Sequence, residues 1–222
     1  MVKSEALEHS RWARARWLVL APHPDDETLG AGALIAHAAA RQRLACVAFL
    51  TDGTGSHPRG TPRISMTRRG EALHAIRRLG GGAVPVRWLS WQDPCPHAPG
   101  SAAFQREAAK LGALLRNGRI DAIAVADSSE AHCDHVAAYQ LAQEAARLSR
   151  RSVSIFGYHV WSVAPKSKRR IETPPMLRGR RRHALHAHRS QMSPLLGEGF
   201  RLPPQMLRMP MSDILTLRSL RS

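Results

Sequence analysis

Five residues in two short clusters carry most of the chemistry open to this sequence. His23, Asp25 and Asp26 stand in "PHPDDE" at 22–27, and His132 and His135 stand in "HCDH" at 132–135. A histidine and a carboxylate three residues apart at a strand-to-helix turn can aim a ring nitrogen and an oxygen at one point. Two histidines at i and i+3 near a helix start share a face. Two imidazoles plus one carboxylate, with a fourth position left open, form a donor set that catalytic zinc uses. Iron(II) accepts the same donors.

Such clusters need elements that deliver them, and the surrounding pattern supplies these. "WLVLA" at 17–21 is an all-apolar run of the kind a strand covered on both faces shows. Helical spacing follows over 28–42, and "LACVAFLTDG" at 44–53 reads as the next strand with an Asp-Gly stop. The alternation continues with a helix at 63–80, a strand at 84–91, a helix at 104–118 and a strand at 120–128. A helix at 135–151 and a strand at 152–163 complete it. Alternating strands and helices predict an α/β, Rossmann-like, three-layer fold with a mostly parallel sheet. Ligands in such sheets bind beyond the carboxyl ends of the strands. The segments "HPDDE", "TDGTGSH" and "SSEAHCDH" all fall there and are expected to converge.

Composition limits the alternatives. A chain of 222 residues suits one domain over 1–222. No apolar run approaches the roughly 20 residues of a membrane helix, and the first residues lack the apolar middle of a signal peptide, so the cytoplasm is the expected compartment. Cys46, Cys95 and Cys133 have no CxxC spacing, which argues against a cysteine cage. The formal charge of +16 favours anionic partners such as a charged carrier or surface. The arginines crowd from about residue 165, in a segment expected to wrap on the main body or stay partly disordered. That segment lacks the aromatics and modules of specific nucleic-acid readers. Arg180, Arg181 and Arg182 are accordingly expected to steer anions from outside the chemistry.

"PHPDDE" at 22–27, "HCDH" at 132–135 and "HRSQ" at 188–191 together resemble the three motifs of the LmbE/PIG-L family of zinc-dependent de-N-acetylases, in that order along the chain. The resemblance implies hydrolysis of an N-acetyl group, commonly on a glucosamine-type sugar. It implies His23, Asp26 and His135 as zinc ligands, Asp25 as the general base, and His132 as the group that steadies the oxyanion and protonates the amine. Elementary chemistry agrees: zinc brings the pKa of a bound water to about 7, a neighbouring carboxylate can take its proton, and histidine can return one near neutrality.

Arg68 falls three residues before Glu71, where the family tends to have arginine, and is a candidate for holding a substrate hydroxyl or the departing acetate. Asp52 is either a turn residue or a sugar contact. His188, in the third motif, is placed at the site's edge by the resemblance. Glu27 is either a partner to a ligand histidine or a charge at the helix start. Cys133 stands where the family often has proline. His57 belongs to a loop that shapes substrate access, and His183 and His186 read as solvated. "GAG" at 30–32 follows the acidic cluster and completes no dinucleotide loop. Two other readings remain: an anion- or nucleic-acid-binding protein with a vestigial metal site, and a hydrolase of a sugar-amine thiol conjugate.

Overall fold

The run Trp17–Ala21 has water on neither face. In the computed structural model, which describes residues 4–164 and 169–218, its side chains alternate between two apolar clusters. Trp17, Val19 and Ala21 enter one, and Leu18 and Leu20 the other. A strand with a period of two must be apolar throughout to lie between two covered faces.

The strands are β1 (Glu5–Ala6), β2 (Trp17–Ala21), β3 (Leu44–Thr51), β4 (Val86–Trp91), β5 (Ala122–Ala126), β6 (Ser154–Tyr158), β7 (Arg170–Glu172) and β8 (Ile214–Arg218). The helices of four or more residues are α1 (Asp26–Ala40), α2 (Ile64–Arg78), α3 (Ala102–Asn117), α4 (Cys133–Ser149), α5 (Arg180–Leu185) and α6 (Arg189–Met192). The strands form one sheet in the order β1-β7-β8-β6-β5-β2-β3-β4. β8 runs antiparallel to both its neighbours, and every other pair is parallel. Leu29, Leu34 and Ile35 of α1, Ala72 and Ile76 of α2 and Leu185 of α5 cover one face. Phe104 and Leu111 of α3 and Leu141 and Ala145 of α4 cover the other. This is the expected α/β arrangement of three layers.

From β2 the chain winds outward through β3 to β4, then returns to β5 and winds the other way through β6. The ends of β2 and β5 therefore flank the topological switch point, where the diverging loops leave a crevice. "HPDDE" follows β2 and "SSEAHCDH" follows β5. α1 begins at Asp26, two residues earlier than the sequence pattern places it. β6 stops at Tyr158, because the amides of residues 160–162 turn away to a buried carboxylate described below.

The described part of the basic segment after residue 165 takes the first of its two expected forms, while the placement of its arginines requires a correction. Its described part wraps on the body as β7, β8, α5 and α6, and its arginines are not a uniform solvated surface. Arg182, His183 and His186 are exposed, as expected. Arg180 is half-buried and donates from Nε to Arg78 O at 3.2 Å. Arg181 is only 4% exposed. Its position follows from a break in α1, where Ala31 leaves helical geometry (φ −132°, ψ 16°). A kink frees carbonyls before it and amides after it, and buried backbone groups must find partners. Arg181 Nη1 donates to Thr28 O at 2.9 Å and Leu29 O at 2.7 Å. Asp213 Oδ2 accepts from Leu34 N at 2.8 Å, and its other oxygen pairs with Arg181 Nη2. One buried ion pair thus supplies both missing kinds of partner.

"GAG" at 30–32 is explained by the same packing. A Cβ on Gly30 would lie 2.1 Å from the Tyr158 ring, and one on Gly32 would lie 3.3 Å from Arg181 Nη1. Among the described residues no helix is long and apolar enough to cross a membrane.

Arg181→Met is expected to destabilise the fold by about 3–5 kcal/mol, the usual cost of orphaning one partner of a buried pair. Exposed Arg182→Met should stay within about 0.5 kcal/mol of the parent. Urea unfolding of the two variants checks the contrast, and equal stabilities would refute the brace.

Candidate metal centre

Asp26 is the first residue of α1, so its carboxylate points back over the β2 turn. Its Oδ2 lies 3.1 Å from His23 Nδ1 and 3.3 Å from His135 Nε2. The Asp26 oxygen thus stands between the two rings, and donor nitrogens of His23, His132 and His135 all lie within 4.8 Å of one another, a group that could hold a metal ion. His135 is fully buried, yet neither of its ring nitrogens makes a hydrogen bond of good geometry. An imidazole buried with both nitrogens unsatisfied is costly unless a further partner binds there.

The outward-facing nitrogens of both histidines meet carboxylates. His23 Nε2 lies 3.0 Å from Asp134 Oδ2. His135 Nδ1 lies 3.5 Å from Glu130 Oε2. A carboxylate behind the ring is the arrangement that orients metal-binding histidines and raises their basicity. Glu130 is itself fixed by donors from the loop after β6. Oε1 accepts from Val160 N, Ser162 N and Ser162 Oγ, and Oε2 accepts from Trp161 N at 3.1 Å.

Electrostatics agree with a site made for positive charge. Burial alone would lower His23, but Asp134, Asp26 and Asp93 outweigh it and hold the imidazole well above 6.5. His135 is likewise opposed by burial, yet Asp26 and Glu130 push it up to about 9. Burial would raise Asp26, and the two histidines reverse this and lower it. Without a cation, protons fill the site.

A second group of donor atoms, from His23, Asp93, His132 and Asp134, also lies within 4.8 Å. It is the weaker candidate, because Asp134 already meets His23. His132 is the N-cap of α4, and its Nδ1 accepts from Asp134 N at 3.2 Å. An amide N–H can only donate, so the neutral ring carries its proton on Nε2. Burial, with help from His23 and His135, lowers its pKa.

Asp25 sits beside this cluster without joining it, in an unusual backbone conformation (φ 157°, ψ −30°). Its Oδ2 accepts from Gln191 Nε2, and its Oδ1 lies 3.5 Å from Arg68 Nη2. Burial first, then the Asp26 charge, raises its carboxyl to about 6 against the pull of Arg68, His188 and His23. These residues line a cavity of about 520 Å³, with Asp93, Ser56, Trp161 and Phe200 among its other walls.

The tentative substrate contacts fare differently. Arg68 lines the cavity, but it is buried, and it donates to Gly53 O and Pro24 O at 2.8 and 2.9 Å as a brace behind Asp25. It is not a surface helix charge. Asp52 is not brought to the cavity: its Oδ1 accepts from Thr54 N and Oγ1, a side-chain turn. His188 is fully buried and outside the cavity lining, not at its edge, and pairs with Glu27 Oε1 at 3.2 Å. Glu27 serves that histidine and not a ligand one. His57 is buried against Gly199 and bonds Ser56. Cys133 is exposed, with Pro94 O nearest to its sulfur.

Sequence reasoning missed Asp93, Asp134, Glu130 and Gln191. Asp134 lies inside the paired-histidine motif, and Gln191 ends the third one. Glu130 lies in a cluster already marked as a strand end, while nothing in the sequence distinguishes Asp93.

Residues 18–146 match the family model described as PIG-L, GlcNAc-PI de-N-acetylase, a span that contains both strand-end clusters. No curated protein sequence matches the chain. Among solved structures, N,N′-diacetylchitobiose deacetylase from Pyrococcus horikoshii, complexed with its inhibitor MPG, is similar over 96% of this chain and 88% of its own. Its TM-score is 0.71 at 20% identity. The zinc-inhibited form of teicoplanin deacetylase Orf2 aligns over 92% of this chain and 99% of its own, with TM-score 0.59 at 17% identity. GalB, the 4-carboxy-2-hydroxymuconate hydratase from Pseudomonas putida KT2440, aligns over 92% and 95%, with TM-score 0.61 at 15% identity. These likenesses show a shared fold. A hydratase among deacetylases shows that the fold alone does not choose the reaction.

The raised histidines generate a prediction. His135, pushed up to about 9, holds a proton at pH 7 in the cation-free protein, and a cation binding at its ring must displace it, so proton release should accompany cation binding. Affinity should climb with pH toward 9 as that competition fades. Calorimetry in buffers of different ionisation enthalpy measures the release, and cation uptake with neither release nor pH dependence would overturn the displacement of a proton from His135.

Proposed function

The chain belongs to the PIG-L family, and on that premise we propose that it is a metal-dependent hydrolase removing the acetyl group from an N-acetylglucosamine-type sugar on a small molecule, glycopeptide or glycolipid. The observation that carries the reading is Asp25, a buried carboxyl raised to about 6 beside the converging donors but not among them. A general base works best with a pKa near the operating pH. The deacetylases among the solved structures of this fold support the bond, and the formal charge of +16 supports an anionic carrier for the sugar.

In this reading His23, Asp26 and His135 hold the cation. When bound, it polarises the amide carbonyl and makes a water acidic enough to lose a proton near neutrality. Asp25 receives that proton, and Arg68 and Gln191 keep its carboxylate aimed. The Nε2–H of the neutral His132 ring donates a hydrogen bond to the oxygen that gains charge, and the proton held on Asp25 passes to the departing nitrogen as the amide C–N bond breaks, giving acetate and a free amine. Zinc is the metal we assign, with iron(II) suited to the same donors. Because one relative is described in a zinc-inhibited form, the assay titrates metal upward from below one equivalent.

His23→Ala, Asp26→Ala and His135→Ala should each lower bound metal together with activity. Asp25→Asn should keep its metal while turnover falls by about two to four orders of magnitude. Metal analysis and mass spectrometry of N-acetylated sugars provide both readouts. Stoichiometric, equally tight metal in any of the first three removes that residue as a ligand, and wild-type turnover in the fourth removes Asp25 as base.

A further inference from the structure

Aromatic side chains in this protein are almost all internal. Among the described residues, the exposed large apolar side chains include two aromatic ones, Trp161 at 47% and Phe200 at 39%. Both line the metal-centre cavity. Single exposed apolar residues need no explanation. Two aromatics at one polar cavity do, since each leaves apolar surface in water. Their rings meet edge to face with centroids 5.9 Å apart.

Each ring stands on a loop tied to the site. Trp161 N donates to Glu130 Oε2, the oxygen facing His135. Phe200 N donates to Ser56 O at 2.6 Å, and Ser56 is another cavity wall. The two loops are remote in sequence, so the aromatic pair exists only because these anchors bring them together.

An amide that reacts at the donor cluster must leave the group it hangs from nearer the cavity mouth. We propose that Trp161 and Phe200 form the wall on which the pyranose ring bearing that amide stacks, so that the cavity selects an N-acetylated sugar over an acetamide without a ring. A hexopyranose has an apolar face of C–H groups and a rim of hydroxyls. An aromatic wall beside polar groups such as Ser56 and Asp93 complements both parts. This inference rests on the de-N-acetylase reading, and its test separates the two.

The test uses the metal-loaded full chain with methyl N-acetyl-β-glucosaminide, methyl β-glucoside and N-ethylacetamide. Trp161→Ala deletes the ring but retains the backbone N–H held by Glu130. It should raise KM for the acetylated glycoside about tenfold and leave kcat within about twofold. Trp161→Phe should recover most of the loss, and Phe200→Ala should act in the same direction as Trp161→Ala. Saturation-transfer NMR should show magnetisation reaching the C–H protons of methyl β-glucoside in the parent and much less in Trp161→Ala, with N-ethylacetamide indifferent to the change.

Unchanged KM and unchanged glycoside binding in both alanine variants would overturn the wall. So would a fall in kcat at constant KM, since the ring would then act only through the Glu130 loop. Trp161-dependent binding of N-octanoyl ethylamine in preference to either glycoside would assign the wall to an acyl chain and also overturn it. If no acetate is released from any sugar, yet methyl β-glucoside still binds through Trp161, the subsite stands and the hydrolase reading falls.

Discussion

A single carboxylate oxygen, Asp26 Oδ2, lies within 3.3 Å of nitrogens from two buried or half-buried imidazoles, and the rest of the site is arranged to make that juxtaposition tolerable. Charge away from water is costly unless paired. The pairing is layered: the donors face one another, and Asp134 and Glu130 back the histidines. Backbone and side-chain groups of residues 160–162 then satisfy Glu130. Parallel strands make this feasible, because β2 and β5 lie side by side and send their following loops apart around one crevice. Each loop needs only a few residues to reach it.

The segment once expected to be a basic fringe is the back wall of this site. Gln191 holds Asp25 from behind. Ser190, its neighbour, donates from N and Oγ to buried Glu71 on α2 at 2.7 and 2.6 Å. His188 meets Glu27 on α1. The partnerships of His188, Ser190 and Gln191 thus dock this segment onto α1, α2 and the first motif. Positive charge inside this wall neutralises carboxylates, and the charge outside it, on Arg182 for example, is free to act on solutes.

The central sheet was legible because β2, β3, β5 and β6 are almost wholly buried and α2 and α3 stop at Gly80 and Gly118, so period and punctuation agree. The inward-facing residues of the two histidine motifs were legible because spacing within one turn fixes geometry. The partners were not. Asp134 meets His23 across 111 positions, and Gln191 meets Asp25 across 166. No local pattern tells which carboxylate or amide will stand behind a given ring. Arg181 was misread for a related reason: α5 has six residues, too short for a helical period to separate the buried arginine from half-buried Arg180 and exposed Arg182 beside it. β7 has only three residues and β8 lacks the unbroken burial of the central strands, and they pair with each other and with β1 and β6.

The repair of α1 also carries a temporal consequence. The helix that presents Asp26 is broken at Ala31, and the groups that close the break come from residues 181 and 213, in contacts that span 153 and 179 positions. Domains fold during synthesis as their parts emerge, and contacts of large sequence separation come at the cost of closing long loops. On the ribosome, therefore, the break in α1 lacks its protein partners until the segment carrying residues 181 and 213 has emerged from the exit tunnel. The donor cluster at its start is completed only then, so a nascent or prematurely terminated chain has the motifs of the site without its rigidity.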